Sequence, residues 1–195
     1  MIPRHIQISL ILLVTGIFGM SAYMLHLRTR VAASTYQLDG KPVAPPVSTP
    51  AEPVTLYVAY DDEGVLLRRS TPVALPADPT SRAREILRTL LAAYLDRSSP
   101  HPLGAGSDVT EVFIVNKSLA VVDLNAAFAQ GHRSGVWEET LTIDSLVATL
   151  AANMPEITQV KILVNGQERE TLAGHADLIS VYDVAQVNRL VQDQR

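Results

Sequence analysis

The sequence predicts an α+β fold: a mixed or antiparallel sheet with two amphipathic helices packed on it, preceded by one transmembrane helix. Three observations support this prediction. Residues 6–27 are an apolar run, two later stretches repeat apolar residues at helical spacing, and about six β-rich runs alternate with turn residues. We divide the chain into a membrane anchor with short flanks (1–30), a proline-rich linker (31–53), an α+β domain (54–181) and a short helix or tail (182–195).

The apolar run from Ile6 to Leu27 is long enough to cross a bilayer as a helix. Its 22 residues would span about 33 Å at about 1.5 Å per residue, which matches a hydrocarbon core of about 30 Å. A secretory signal peptide is the alternative, but it needs a shorter apolar core and a small-residue cleavage site, to which Val31 and Ala33 correspond poorly. We therefore expect an uncleaved anchor and a membrane contact through residues 6–27.

Charge bias alone does not fix the orientation of this anchor. Arg4 lies on one side, whereas Arg28, Arg30 and Lys41 lie on the other, and this count slightly favours a cytoplasmic C-terminal part. We expect the opposite orientation, with the C-terminal domain outside the cytoplasm, because of the family resemblance given below.

The composition after the anchor excludes several classes of protein. Three of the 16 Lys and Arg precede Val31, which leaves 13 against 20 Asp and Glu and a formal charge of −7 for residues 31–195. A nucleic-acid binder would show the opposite balance, so we predict no nucleic-acid partner. The chain has no cysteine, which excludes disulfides, thiol catalysis and attachment of a lipid to a cysteine.

The segment 31–53 predicts a spacer. It holds five of the 12 prolines and few large apolar residues, so it cannot bury enough surface to fold by itself. At about 3.1 Å per residue, an extended segment of this length would reach up to about 70 Å.

The first half of the domain predicts a hairpin and a helix. Val54–Tyr60 and Gly64–Leu75 are β-rich and flank a turn. Asp78 is suited to cap the helix and Pro79 to its first turn. The predicted buried face consists of Ala83, Ile86, Leu87, Leu90, Leu91 and Tyr94.

The second half predicts two more strand pairs around a second helix. Val109–Val115 and Leu119–Leu124 should pair antiparallel across a short turn. Thr158–Val164 should turn at Asn165-Gly166 and pair with Gln167–Leu172. The second helix follows the Gly131–Gly135 loop, ends before Pro155 and should bury Ile143, Leu146, Val147, Leu150, Ala151 and Met154. A final helix from Tyr182 to Arg195 would bury Val184, Val187 and either Leu190 or Val191.

Side chains that could perform chemistry are present but lack the spacing of a site. The candidates for a metal or acid–base centre are His132, Glu138, Glu139, His175 and Asp177. They contain no ligand spacing such as His-Glu-x-x-His, and Ser107, Ser134 and Ser145 lack the context of a catalytic nucleophile. We predict no catalytic, metal-binding or cofactor-binding residues, and no enzyme. His132 should lie in a solvated loop, and Asp177 should accept hydrogen bonds from its own turn.

Three further residues have a structural and a functional interpretation. Asp123 and Asn125 end a strand, where polar residues usually form turns or caps, and direct binding is the alternative. Trp137, the only tryptophan, lies at a helix start. We expect it to pack in the core or in a hydrophobic staple, with an anchor for a partner as the alternative.

The residues from Val54 to Leu178 resemble the GerMN domain, also called the sporulation and spore-germination domain. The resemblance rests on Ala120-Val-Val-Asp-Leu-Asn125 with Ala126-Ala-Phe128, on the helix through Leu146–Leu150, on Pro155–Gln167, and on the closing Gly174–Leu178. It implies a bacterial envelope protein held outside the cytoplasmic membrane, with no catalytic residues in the domain. The single copy and the missing lipoprotein cysteine depart from the pattern of spore-forming bacteria.

The function implied by this resemblance is assembly or binding. We expect a non-catalytic module that binds an envelope protein or itself, with a connection to sporulation or germination left open. A module that binds peptidoglycan or another envelope glycan is the alternative, and an undetected hydrolase comes third.

Overall fold

The structure, a computed structural model, describes residues 3, 20, 21, 23 and 50–193. Every strand and helix named below belongs to one compact unit, Ser48–Arg195. The predicted membrane span at 6–27 and linker at 31–53 lie almost wholly outside the described residues and stay predictions. Among the residues that are described, no helix is both long and apolar enough to cross a bilayer.

The described part of this unit contains six strands and four helices. In chain order these are β1 (Glu52–Tyr60), β2 (Val65–Val73), α1 (Pro79–Leu95), β3 (Val109–Val115), β4 (Leu119–Leu124), α2 (Ala126–Gln130), α3 (Val136–Asn153), β5 (Gln159–Val164), β6 (Tyr182–Asp183) and α4 (Val184–Asp193). The short helix α2 was not predicted, although its N-cap, Asn125, was singled out as a candidate cap.

The strands form two sheets rather than the single sheet expected from the sequence. The first sheet is the predicted antiparallel hairpin of β1 and β2. The second has the order β3-β4-β5-β6, in which β4 and β5 are parallel and the other two pairs are antiparallel. The general prediction of an α+β fold with mixed pairing is therefore confirmed, and the number of sheets is corrected.

The predicted strand Gln167–Leu172 does not form. Asn165 and Gly166 make the expected turn, with φ angles of 52° and 71°, but only the single bridge between Val164 and Gln167 follows it. The chain then leaves the sheet because its backbone donates hydrogen bonds to a buried carboxylate of α3, described below. The place beside β5 is taken by β6.

Helix α1 has the predicted cap and the predicted buried face. The Asp78 carboxylate accepts a hydrogen bond from Ser81 N at 2.8 Å, and Pro79 begins the helix. All six residues of the predicted face are buried, and α1 packs on β1, β3 and α3.

Helix α3 is the central element of the domain. The sequence predicted one apolar face, but the helix is buried on all sides from Leu141 to Leu150. It packs against β1, α1 and α4. Its buried polar residues need partners for this reason, since a buried polar group without a hydrogen bond is costly.

The small polar residues of α3 satisfy one edge of β1. Ser145, Thr149 and Asn153 are spaced four residues apart and so lie on one face of the helix. Tyr57 N donates to Thr149 Oγ1 at 2.9 Å, and Ser145 Oγ donates to Tyr57 O at 2.6 Å. Asn153 bonds both backbone groups of Thr55. Side chains of α3 thus replace the neighbouring strand that β1 lacks on this side.

We expect Thr149→Val to destabilise the domain although it preserves the shape of the side chain. The change removes the acceptor of Tyr57 N and leaves that partly buried group without a partner, which typically costs about 1–3 kcal/mol. Chemical denaturation of the two proteins measures the difference. Thr110→Val, at an exposed position of β3, is the matched control and should change the free energy of unfolding by less than about 0.5 kcal/mol.

Candidate functional site

Trp137 lies on the surface, in the first turn of α3. Its side chain is 65% exposed, and the neighbouring Val136 is 59% exposed. The expectation that Trp137 packs in the core is wrong. The helix begins at Val136, with Gly135 as N-cap, so its first two side chains precede the part of the helix that neighbouring elements cover. The sequence contained the signal for this exposure, since the predicted apolar face begins only at Ile143.

Beside Trp137 lies a concave, acidic surface. A cavity of about 370 Å³ separates the first turn of α3 from the turn between β1 and β2. We call this region the docking surface and define it by Asp61, Asp62, Glu63, Gly64, Val136, Trp137 and Glu138. Four of these seven residues are acidic. Arg133 partly balances two of them, because its guanidinium lies 3.1 Å from Asp61 and 3.9 Å from Glu138.

A buried histidine network holds the floor of the docking surface. Asp61 Oδ1 lies 2.5 Å from His101 Nδ1, and His101 Nε2 lies 2.6 Å from Thr142 Oγ1. The same hydroxyl oxygen lies 2.7 Å from His132 Nε2. Asp61 is thereby connected to the interior of α3, which fixes the β1–β2 turn relative to Trp137.

His132 is therefore not the solvated loop residue that the sequence predicted. It is only 8% exposed, and its Nδ1 lies 2.7 Å from Arg133 O. Burial lowers the pKa of His132 and outweighs the bond to Arg133 O, which raises it. His101, which the sequence did not single out, is 2% exposed and packs edge-on against Tyr94.

Glu139 fixes residues 173–176, which follow the Asn165-Gly166 turn at the end of β5. Its side chain is fully buried, and Oε2 accepts hydrogen bonds from Ala173 N, His175 N and Ala176 N, each at 2.9 Å. Oε1 accepts one from Gly135 N at 3.3 Å and faces His175 Nδ1 at 3.0 Å. Burial alone would raise the pKa of Glu139, but these hydrogen bonds lower it to about 2. Glu139 is a structural clamp between α3 and residues 173–176.

The other singled-out residues have structural partners. Asn125 caps α2 by accepting from Phe128 N at 2.9 Å, and Asp123 accepts from Gly166 N at 2.7 Å. Asp177 accepts from Ile179 N and Ser180 N, which confirms its predicted turn. Ser145 bonds β1 as described above, and Ser107 Oγ donates to Gly104 O at 2.7 Å.

The structure brings only some of the candidate metal ligands together. Glu139 and His175 are in contact, whereas Glu138 lines the docking surface and Asp177 forms its own turn. Within residues 50–193 and the few described residues before them, no group of three or more His, Asp or Glu side chains could hold a metal ion.

The fold and this surface define a small two-sheet α+β module built around one central helix. Residues 55–170 match the family described as Germane: Sporulation and spore germination. This match covers more than half of the chain, and the chain therefore belongs to that family.

Two solved structures of a sporulation protein share the fold. The first GerMN domain of GerM from Bacillus subtilis has 20% sequence identity and a TM-score of 0.51, covering 66% of this chain and 94% of that one. The tandem GerMN domains of the same protein give 21% identity and a TM-score of 0.51, covering 67% of this chain and 45% of theirs. The chain thus spans less than half of the tandem structure. None of the curated proteins matches the chain.

Proposed function

We propose that this chain is a non-catalytic, membrane-anchored module outside the cytoplasm that assembles with a protein partner in the bacterial cell envelope. The family match supports a connection to sporulation or germination. The predicted span at residues 6–27 and the proline-rich linker supply the anchor and the reach that such a module needs.

The observation that carries this proposal is the exposure of Trp137 beside an acidic cavity. Tryptophan is enriched among residues that dominate binding energies, and contiguous apolar side chains on a protein surface mark interaction sites. Trp137 and Val136 are the most exposed large apolar residues within residues 50–193.

The charge of the docking surface indicates the chemistry of the partner. Asp62 and Glu63 form no ion pair within the described residues, so the β1–β2 turn presents uncompensated negative charge. A partner segment with Lys or Arg beside an apolar residue would complement both the carboxylates and the indole, whose face attracts cations. The partner segment is therefore basic.

The sheet edges are less suited to carry the partner. On β3, Val109 N donates to the Asp108 carboxylate and Val112 N to the Glu111 carboxylate. Arg88 and Arg84 of α1 hold these two acids, at 2.8 Å and 2.9 Å. On β2, exposed Arg68 and Arg69 and the proline at 72 discourage pairing with a further strand.

The test begins with crosslinking of the full chain in cells. A photoreactive amino acid at position 136 identifies the neighbouring protein, and a labelled peptide from its basic segment is then titrated by fluorescence anisotropy. We expect Trp137→Ala to weaken this binding by about 30-fold, which corresponds to the loss of about 2 kcal/mol at a binding hot spot. Added salt should weaken the wild-type complex as well.

Phe113→Ala is the matched control, because Phe113 is 52% exposed but lies on β3, outside the docking surface. Equal affinity of wild type and Trp137→Ala, or a loss seen only with Phe113→Ala, would contradict the proposed surface. A chain that captures no protein but sediments with purified cell walls would instead favour the glycan-binding alternative.

A further inference from the structure

A second cavity, separate from the docking surface, lies between α3 and the chain that leads into α4. Its volume is about 380 Å³. It is lined by Thr140 and Asp144 of α3 and by Ser180, Val181, Tyr182, Asp183, Gln186, Val187 and Leu190. Val181 and Leu190 are 46% and 47% exposed, so the cavity has an apolar rim that a ligand can reach from solvent.

Asp144 lines this cavity, and one oxygen of its carboxylate has no hydrogen-bond partner. The residue is 4% exposed, and its Oδ2 atom is buried with no hydrogen bond. Within the described residues it is the only buried side-chain nitrogen or oxygen in that condition. Native proteins pair nearly all such atoms, so an exception at the wall of a cavity indicates a missing ligand group.

Packing does not explain this arrangement. Glu139, five residues earlier on the same helix, is also fully buried, and the fold gives its carboxylate four backbone donors. Asp144 receives none, although Thr140 and Ser180 also line the cavity. A buried carboxylate of this kind is retained against its desolvation cost when it serves as a counter-ion.

The lining indicates a cation with an apolar stem. It holds two carboxylates, Asp144 and Asp183, and no Lys, Arg or His. The Tyr182 ring can contact a cation, while Val187 and Leu190 can contact methylene groups. A compact ammonium is preferred over a guanidinium, because an ammonium is a point charge that one carboxylate oxygen can hold, whereas a planar guanidinium is best matched by two.

We propose that this cavity binds a primary ammonium group on a short aliphatic chain, with Asp144 as its counter-ion. The group comes from a lysine side chain of a partner or from a free diamine. This site is independent of the docking surface around Trp137 and can exist whether or not that surface binds a partner.

The test titrates the full chain with small probes and follows backbone amide signals of residues 180–190 by NMR. The probes are cadaverine and three amino acids blocked at the backbone only: Nα-acetyl-lysine N-methylamide, Nα-acetyl-norleucine N-methylamide and Nα-acetyl-arginine N-methylamide. We expect the lysine derivative to bind at least tenfold more tightly than norleucine, which has the same stem without the charge. Tighter binding of cadaverine than of the lysine derivative would identify a free diamine as the source, and the reverse would identify a lysine side chain.

Two variants make the result specific to the cavity. Asp144→Asn should weaken binding of the lysine derivative at least tenfold, and Leu190→Trp, a surface change at the rim, should do the same by blocking entry. Glu156→Gln removes an exposed carboxylate elsewhere and should leave the affinity unchanged. The proposal would be overturned if the norleucine derivative bound as tightly as the lysine derivative, or if the arginine derivative bound more tightly. It would also be overturned if Leu190→Trp bound the lysine derivative as the wild type does, or if no probe gave a saturable shift.

Discussion

Replacement of Glu139 by alanine is expected to lower the free energy of unfolding by about 3 kcal/mol at pH 7. The folded state holds the pKa of this carboxyl at about 2, compared with an ordinary 4.5, because hydrogen bonds to its oxygens outweigh burial. Each pKa unit corresponds to about 1.4 kcal/mol, which gives the expected magnitude. The variant also leaves backbone groups of Ala173, His175 and Ala176 without their acceptor.

The same pKa shift predicts how the effect depends on pH. Because the folded-state pKa of Glu139 is lowered, its stabilisation is present above pH 4.5 and is lost as the pH falls through about 2. Urea denaturation at pH 7 and pH 3 measures this, and the gap between wild type and Glu139→Ala should narrow in acid. Glu138→Gln is the control, because Glu138 is partly exposed and holds no backbone group of the 173–176 segment. A loss equal to that of the control would show that Glu139 is not a clamp.

The parts of the fold that local patterns specify could be predicted from the sequence. Helix α1 begins at its predicted cap and buries its predicted face, and the pair of β3 and β4 has its predicted bounds. These features depend on neighbouring residues along the chain, such as Asp78 with Ser81. The Asn165-Gly166 turn was also correct, since its backbone angles are a local property.

Features that depend on distant residues could not be predicted. Gln167–Leu172 has the composition of a hairpin partner, but Glu139 binds the backbone just beyond it, at Ala173 and His175, which lie 34 and 36 residues further along the chain than Glu139. The burial of His132 depends on Thr142 and on the position of His101, which no pattern in the sequence connects. Helix α3 looked amphipathic because Ser145, Thr149 and Asn153 are polar, yet they face β1 rather than solvent.

The same difference between local patterns and contacts with distant residues explains what could be predicted of the candidate sites. Trp137 was recognised as a possible anchor, but its exposure depends on where neighbouring elements cease to cover α3. Asp144 lies in the middle of a helix between Ile143 and Ser145, where sequence reading assigns an acid to the solvent side. Only the fold reveals that α4 and its preceding segment enclose it.

Asp144 and Glu139 are buried acids on one helix, and opposite effects of substitution are expected from them. Burial raises the pKa of Asp144 from 3.8 to about 6, and no hydrogen bond offsets this. Ionisation at pH 7 therefore costs the free folded protein about 3 kcal/mol. Leucine is apolar and similar in length to aspartate, so Asp144→Leu removes this cost. We expect it to raise the free energy of unfolding by about 2 kcal/mol at pH 7, because altered packing takes away part of the gain.

The sign of the pH dependence distinguishes this explanation from a general packing effect. Because the folded-state pKa of Asp144 is raised, the wild type is most stable with respect to this group below pH 3.8 and loses stability as the pH rises through about 6. The advantage of Asp144→Leu measured by denaturation should thus be largest at pH 7 and nearly vanish at pH 4. Glu156→Leu, at an exposed acid, should show no such trend. An advantage independent of pH, or a loss of stability at pH 7, would mean that Asp144 is not an ionised, unpaired acid held for a ligand.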